Sequence, residues 1–321
     1  MNWSGVMPAM TTPFDTNMRV DHGFLAQHAA WQLGNGCAGL VMLGSLGEGA
    51  TLEHDEKLAI LKTAVRVAGK APVVAAISSL STKDSVQLAK EAEDAGCSGL
   101  MVLPPYVYTS DWYEMKQHVS TVLAATRLEC MLYNNPVAYK TDFLPNEIAE
   151  LASEHANLAA VKESSADVRR VMAIRELLAD RLRIFVGVDD VLVEAVGTGA
   201  VGWVAGLVNA YPAESVRLFD LAKAGKRDEV FELYRWFLPL LRMDTVPKFV
   251  QLIKWVQEKA GVGSARVRAP RMELHGEELK AATAVFEKAL AERPGINEKP
   301  FAEFAGAPAS RIPGTTLSPR T

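Results

Sequence analysis

The chain has 321 residues, 49% hydrophobic and 22% charged, with a formal net charge of −4. That balance suits a soluble globular protein with a large core, and it argues against nucleic acid or an anionic membrane as partner. No apolar run is long enough to span a bilayer, and residues 1–10 lack the basic start and apolar stretch of a signal peptide.

Strand-like apolar runs recur at 6–14, 39–44, 72–78, 99–105, 129–135, 158–164, 182–188 and 200–206. Amphipathic segments lie between them; 54–68 and 82–95 show helical periodicity after polar starts. One αβ corner occurs twice. At 33–43 and again at 94–103 a helix end meets a glycine stop, a tight turn and an apolar strand. Eight strands alternating with helices predict an α/β protein with parallel strands, most simply a closed (β/α)8 TIM barrel. A doubly wound open sheet is the alternative, but the Gly-rich stretch near Gly44 lacks dinucleotide spacing. Helical periodicity continues at 214–224, 228–243, 246–260 and 276–291, more than one closing helix. The expected organisation is a catalytic barrel over 1–224, a helical subdomain over 225–292 and an extended or flexible tail over 293–321. The three cysteines, Cys37, Cys97 and Cys130, lack paired metal spacing. They read as small buried hydrophobes in a reducing compartment, which places the protein in the cytoplasm.

In a β/α barrel, chemistry gathers at the carboxyl ends of the strands. The sixth run ends in Val161-Lys162-Glu163-Ser164-Ser165. A lysine at the end of a buried strand either snorkels to water or is sheltered as an amine nucleophile towards carbonyl carbon. The fifth run ends in Tyr133-Asn134-Asn135-Pro136. Tyr133 reads as an amphipathic cap on the core or, beside Lys162 on the next strand, as a proton carrier. The second run ends in Gly44-Ser45-Leu46-Gly47-Glu48. The Ser45 and Leu46 amides read either as an ordinary turn or as a nest for a substrate carboxylate. Glu48 reads as holding that turn or capping the next helix. Glu163, Ser164 and Ser165 read as entry residues for a helix over 167–178. Asp189 and Asp190 resemble paired carboxylates for metal or acid–base work, but they open the next helix, where negative charge is favoured, and they read as caps. The six histidines form no ligand cluster, so no metal is implied.

Together these pieces resemble the dihydrodipicolinate synthase and N-acetylneuraminate lyase family of Schiff-base barrels. The match runs from about Trp3 to the helices near Leu290. Its marks are Thr11-Thr12-Pro13-Phe14, the Gly44–Glu48 segment, Tyr133-Asn134-Asn135-Pro136, Val161-Lys162-Glu163, and Gly199-Ala200-Val201-Gly202 leading to Asn209. The resemblance implies that Lys162 forms an imine with C2 of a 2-oxo acid or an equivalent cyclic imine, with no other cofactor. Tyr133 and Ser45 would shuttle protons, and the Ser45 and Leu46 amides would hold the carboxylate. Gly47, Val204, Tyr106, Tyr108 and Tyr139 would complete the substrate site. A homotetramer built from tight dimers is also implied.

Two departures stand out. In the family's synthases an arginine commonly follows the tyrosine by five positions and grips the second substrate's carboxylate; here that position is Ala138. The relay tyrosine lent by a neighbouring subunit falls at or near Val107, flanked by Tyr106 and Tyr108. The segments 133–142, 202–206 and 234–241 look like those of 1-pyrroline-4-hydroxy-2-carboxylate deaminases, whose substrate carries a single carboxylate. The readings carried forward are that deaminase, a 4-hydroxy-tetrahydrodipicolinate synthase or another pyruvate-dependent aldolase or dehydratase of the family, and a non-catalytic keto-acid-binding barrel.

Overall fold

Gly36 and Gly96, the turn glycines of the repeated corner, both take positive φ (95° and 89°), which a side chain would oppose. Each turns the chain from a helix into a buried strand. The computed structural model describes residues 1–106 and 108–307. It places eight parallel strands, β1 (Gly5–Pro8), β2 (Leu40–Met42), β3 (Val73–Ile77), β4 (Gly99–Val102), β5 (Glu129–Asn134), β6 (Leu158–Glu163), β7 (Arg183–Val186) and β8 (Gly202–Ala205). Seven lie inside their predicted runs, and β1 starts at Gly5, one residue before its run. The ladder runs β1-β8-β7-β6-β5-β4-β3-β2. A parallel bridge from Ala9 to Val41 and the bond from Met10 N to Val41 O (2.9 Å) bring β1 and β2 together and round the sheet into a TIM barrel. All five residues of β3 are buried, as expected of a strand covered on both faces.

The helices between strands start where their sequences supply a cap. Ser81 Oγ accepts from Asp84 N (3.0 Å) before Thr82–Asp94, and Asp111 with Glu114 forms a capping box before Trp112–Ala124. Helices Arg227–Leu241, Phe249–Lys259 and Gly276–Ala291 follow the barrel. Trp236 Nε1 bonds Ala289 O (2.9 Å) and Trp255 meets Phe286 edge-on, so these helices pack on one another and join the barrel's apolar core.

Residues 293–307, the described part of the stretch read as an extended or flexible arm, are seated on helix His22–Gly34. Trp31 Nε1 donates to Lys299 O (2.8 Å), and Phe301 packs against Phe24 and Trp31. The Phe301 ring and bonds to the Lys299 carbonyl hold this segment without needing a helical period.

Candidate active site

Tyr133 on β5 and Lys162 on β6 are register partners. Strand alternation sends their neighbours, Asn134 and Glu163, to the other face. There Asn134 Nδ2 donates to Glu163 Oε2 (3.0 Å) and Ser165 N donates to Glu163 Oε1 (2.7 Å). Glu163 therefore clasps β5 to β6 rather than opening a helix; the next helix begins at Arg169 without a side-chain cap. On the inner face Lys162 and Tyr133 are 6% and 5% exposed, with Lys162 Nζ 4.2 Å from the phenol ring centroid. Among the described residues Nζ has no hydrogen-bond or ion-pair partner. Gly187 makes room for the lysine stem, because a methyl there would collide with Lys162 Cε and Ser164 Oγ. The Ser164 hydroxyl is buried, has no partner among the described residues and faces the same cavity.

On the β2 side, Ser45 Oγ is bonded to the Tyr139 hydroxyl, and Tyr139 stands edge-on to Tyr133 with ring centroids 5.7 Å apart. Asn135 Nδ2 donates to the Tyr133 hydroxyl (3.0 Å). Burial, then the neighbouring Tyr133, holds the Tyr139 phenol well above its ordinary pKa, so it stays a protonated donor. The backbone N–H groups of Ser45, Leu46 and Gly47 have no acceptor among the described residues, as a carboxylate nest requires. Tyr106 sits behind Tyr139 (5.4 Å between centroids) and gives its proton to Ser78 O at 2.5 Å. Tyr108 is 54% exposed. Val107 lies outside the described residues.

The side towards β7 and β8 is acidic. Asp189 does not cap the helix it precedes. It is fully buried and accepts from Trp203 Nε1 (2.9 Å), Gly206 N (3.1 Å) and Leu207 N (2.8 Å), pinning the end of β8. Burial pushes its carboxyl up to about 6 against the pull of those donors. Asp190 likewise caps nothing through its side chain; its Oδ2 is 3.8 Å from Arg242 Nε. Asp244, which the sequence reading did not single out, lies against Gly206, where a methyl would collide with its Oδ1.

These residues surround a cavity of about 430 Å³ at the carboxyl ends of the strands. Ser45, Leu46, Tyr133, Lys162 and Val204 line it, with Ala138 in the wall. Asp244, Thr245, Val246, Pro247 and Phe249 close the mouth, so a segment beyond the barrel completes the site. Gly47, Tyr106, Tyr108 and Tyr139 stand outside the lining. Among the described lining residues Lys162 is the one cation and Asp244 the one acid. No three His, Cys, Asp or Glu side chains among the described residues converge as a metal site. No described helix is long and apolar enough to cross a membrane.

Glu48 starts the short turn Gly49–Thr51 through its backbone carbonyl, but its side chain caps no helix and does not reach the cavity. Its left-handed backbone (φ 54°) turns the carboxylate inward to Lys254 Nζ (2.8 Å) and Arg268 N (2.9 Å).

Residues 2–289 match the profile of the Dihydrodipicolinate synthetase family. The chain belongs to that family. Family members are lyases that work through a lysine Schiff base. The chain is 29% identical to the 4-hydroxy-tetrahydrodipicolinate synthase of Desulforamulus reducens, over 87% of this chain and 95% of that one. Identity to the synthase of Natronomonas pharaonis is 30%, over 89% of this chain and 98% of the relative. The solved 4-hydroxy-tetrahydrodipicolinate synthase of Methylacidiphilum fumariolicum SolV superposes with a TM-score of 0.85 at 27% identity, covering 91% of this chain and 98% of that one.

Proposed function

We propose that this family member is a deaminase that converts 1-pyrroline-4-hydroxy-2-carboxylate to 2-oxoglutarate semialdehyde and ammonia, with Lys162 as the covalent catalyst and no other cofactor. The carrying observation is the cavity's charge: one amine, one nest of backbone N–H groups, one acid, and no guanidinium among the described lining residues. A substrate with a single carboxylate fits that inventory.

In this reading the Ser45 and Leu46 amides hold the carboxylate and Lys162 Nζ attacks the ring C=N carbon. The ring nitrogen takes a proton and leaves as the C5 amine, which opens the ring. A proton is then removed from C3, and the imine accepts the electron pair. The pair returns to form the C3–C4 double bond as the C4–O bond breaks and water departs. Tautomerisation moves the unsaturation to C5 as an imine. Water hydrolyses both imines, releasing ammonia and the dicarbonyl product. One water is consumed overall.

Protons pass through Tyr133, Tyr139 and Ser45, whose hydroxyls cluster on one side of the amine. Because Tyr139 belongs to the same chain, the path does not wait on a partner's phenol. Tyr139→Phe is expected to lower kcat by roughly 10²-fold, the low end for a lost proton carrier, while pyruvate is still trapped on Lys162 by borohydride. An unchanged kcat would return the relay to another subunit.

The second reading, 4-hydroxy-tetrahydrodipicolinate synthase, is favoured by the names of the curated relatives. Its adduct carries two carboxylates, and this cavity offers the second one only Ala138 and, across the mouth, Asp244. Ammonia release from the hydroxypyrroline, measured beside condensation of pyruvate with aspartate semialdehyde, separates the two. The expected result is ammonia release and no condensation; the reverse pattern hands the site to the synthase. Binding of 2-oxo acids without any turnover would favour the non-catalytic barrel. We further read the protein as a cytoplasmic homotetramer of tight dimers. The buried free thiols of Cys37, Cys97 and Cys130 support the reducing setting, and sedimentation tests the assembly.

A further inference from the structure

The tyrosine and Ser45 hydroxyls lie on the β2 and β5 side of the cavity, the Ser164 hydroxyl is buried beside the Lys162 stem against Gly187, and together they account for proton traffic at the imine and C3. They leave one step unserved. A hydroxyl group departs from C4 as water only if something gives it a proton, since hydroxide is a poor leaving group. C4 is two bonds from the imine carbon, so the donor must stand near the amine yet away from the carboxylate nest.

Asp244 meets those conditions. It lines the cavity, rests against Gly206 at the end of β8, and is close enough to Lys162 for their charges to interact. Its carboxyl has no hydrogen-bond donor among the described residues. Asp189 nearby is spent on Trp203, Gly206 and Leu207, and Asp190 faces Arg242. Burial, then the Asp189 carboxyl, holds Asp244 well above the ordinary carboxylate range, with Asp190 adding to the push and Lys162 opposing it. An acid kept protonated at the mouth of the cavity, near the amine and away from the carboxylate nest, is placed to donate, not to accept.

We infer that Asp244 is the general acid that protonates the C4 oxygen as the C4–O bond breaks, and so selects substrates that carry a hydroxyl at C4. The proton moves from the Asp244 carboxyl to that oxygen, water leaves, and the carboxylate is reprotonated from solvent at the mouth. This rests on the deaminase reading above.

The test pairs the hydroxypyrroline with its 4-chloro analogue, whose leaving group departs as chloride and needs no proton. Asp244→Asn is expected to slow ammonia release from the hydroxy compound by roughly 10²-fold. Release from the chloro compound and borohydride trapping of pyruvate should stay at wild-type levels. Asp244→Ser, measured on the same pair, guards against a variant that does not fold. An equal loss on both compounds, or no loss on either, overturns the acid role while leaving the deaminase reading intact. A wild-type enzyme that releases no ammonia from the hydroxypyrroline removes the reading and the acid role together.

Discussion

Lys162→Ala is expected to abolish borohydride trapping of pyruvate and to lower turnover by roughly 10⁴-fold or more, the scale at which enzymes lose a covalent nucleophile. The expectation comes from comparing the two buried lysines. Lys254 is 1% exposed and committed, with its ammonium held by Glu48 Oε1 at 2.8 Å and Thr12 O at 2.9 Å. Lys162 is 6% exposed and uncommitted: its nitrogen faces the Tyr133 ring and the cavity, with no acceptor among the described residues. A sheltered amine without a structural partner is free to attack carbon. Mass spectrometry after reduction should find one pyruvyl-derived group on Lys162 in the wild type and none in the variant, with circular dichroism unchanged. A reduced adduct on any other lysine, or full turnover in the variant, would sink the covalent mechanism.

The barrel was legible because each strand is a short apolar run punctuated by turn residues, and burial on both faces leaves no polar alternation to confuse with another element. Lys162 and Tyr133 were legible for a related reason. A polar side chain closing such a run has few places to go, and parallel register sets neighbouring strand ends side by side. Ser45 was legible from its glycine flanks. What stayed hidden was contact between segments far apart in the chain. Nothing local tells that Tyr139, on a four-residue helix after β5, reaches Ser45, or that Asp189 turns from its own helix to bind the end of β8. Asp244 fell in the two-residue gap between the helical patterns at 228–243 and 246–260, which carried no signal of a site. There the chain forms a short turn that covers the mouth. Dividing the sequence into a barrel and later helices drew the boundary before the residues that close the cavity.

Charge is laid out across this site in two halves. The β2 and β5 half offers hydroxyls and bare N–H groups, suited to an anion and to neutral proton transfer. The β7 and β8 half offers carboxyls, one fully bonded and one free. A second substrate carboxylate entering that half would meet no guanidinium, and a protonated Asp244 offers it one neutral donor in place of a cation. With Ala138 in the wall and Asp244 uncharged, a second carboxylate has no cation to meet among the described lining residues except Lys162.

Lys254→Met is expected to lower stability by roughly 3–5 kcal/mol, the range for removing one partner of a buried ion pair. Glu48 is fully buried, and burial holds the Lys254 ammonium below its ordinary pKa although Glu48 opposes that shift. Neither charge has water to return to, so a lone Glu48 carboxylate would keep only the Arg268 amide at 2.9 Å and the more distant Arg271 guanidinium at 3.9 Å. At about 2–4 °C per kcal/mol for a chain of this size, the melting temperature should fall by on the order of 10 °C. Glu48→Gln combined with Lys254→Met removes both charges and should recover more than half of the loss, since a buried pair is often replaceable once neither charge is left alone. A functional consequence follows from position. Glu48 lies two residues after Leu46, and Thr12, whose carbonyl binds Lys254, also donates its hydroxyl to Gly47 O at 2.6 Å. The pair therefore steadies the loop that presents the Ser45 and Leu46 amides. Lys254→Met at a temperature where it remains folded should raise KM for the carboxylate substrate more than it lowers kcat. A melting temperature within 2 °C of the wild type would show that the loop does not depend on this pair, and the coupling between the C-terminal helices and the carboxylate nest would go with it.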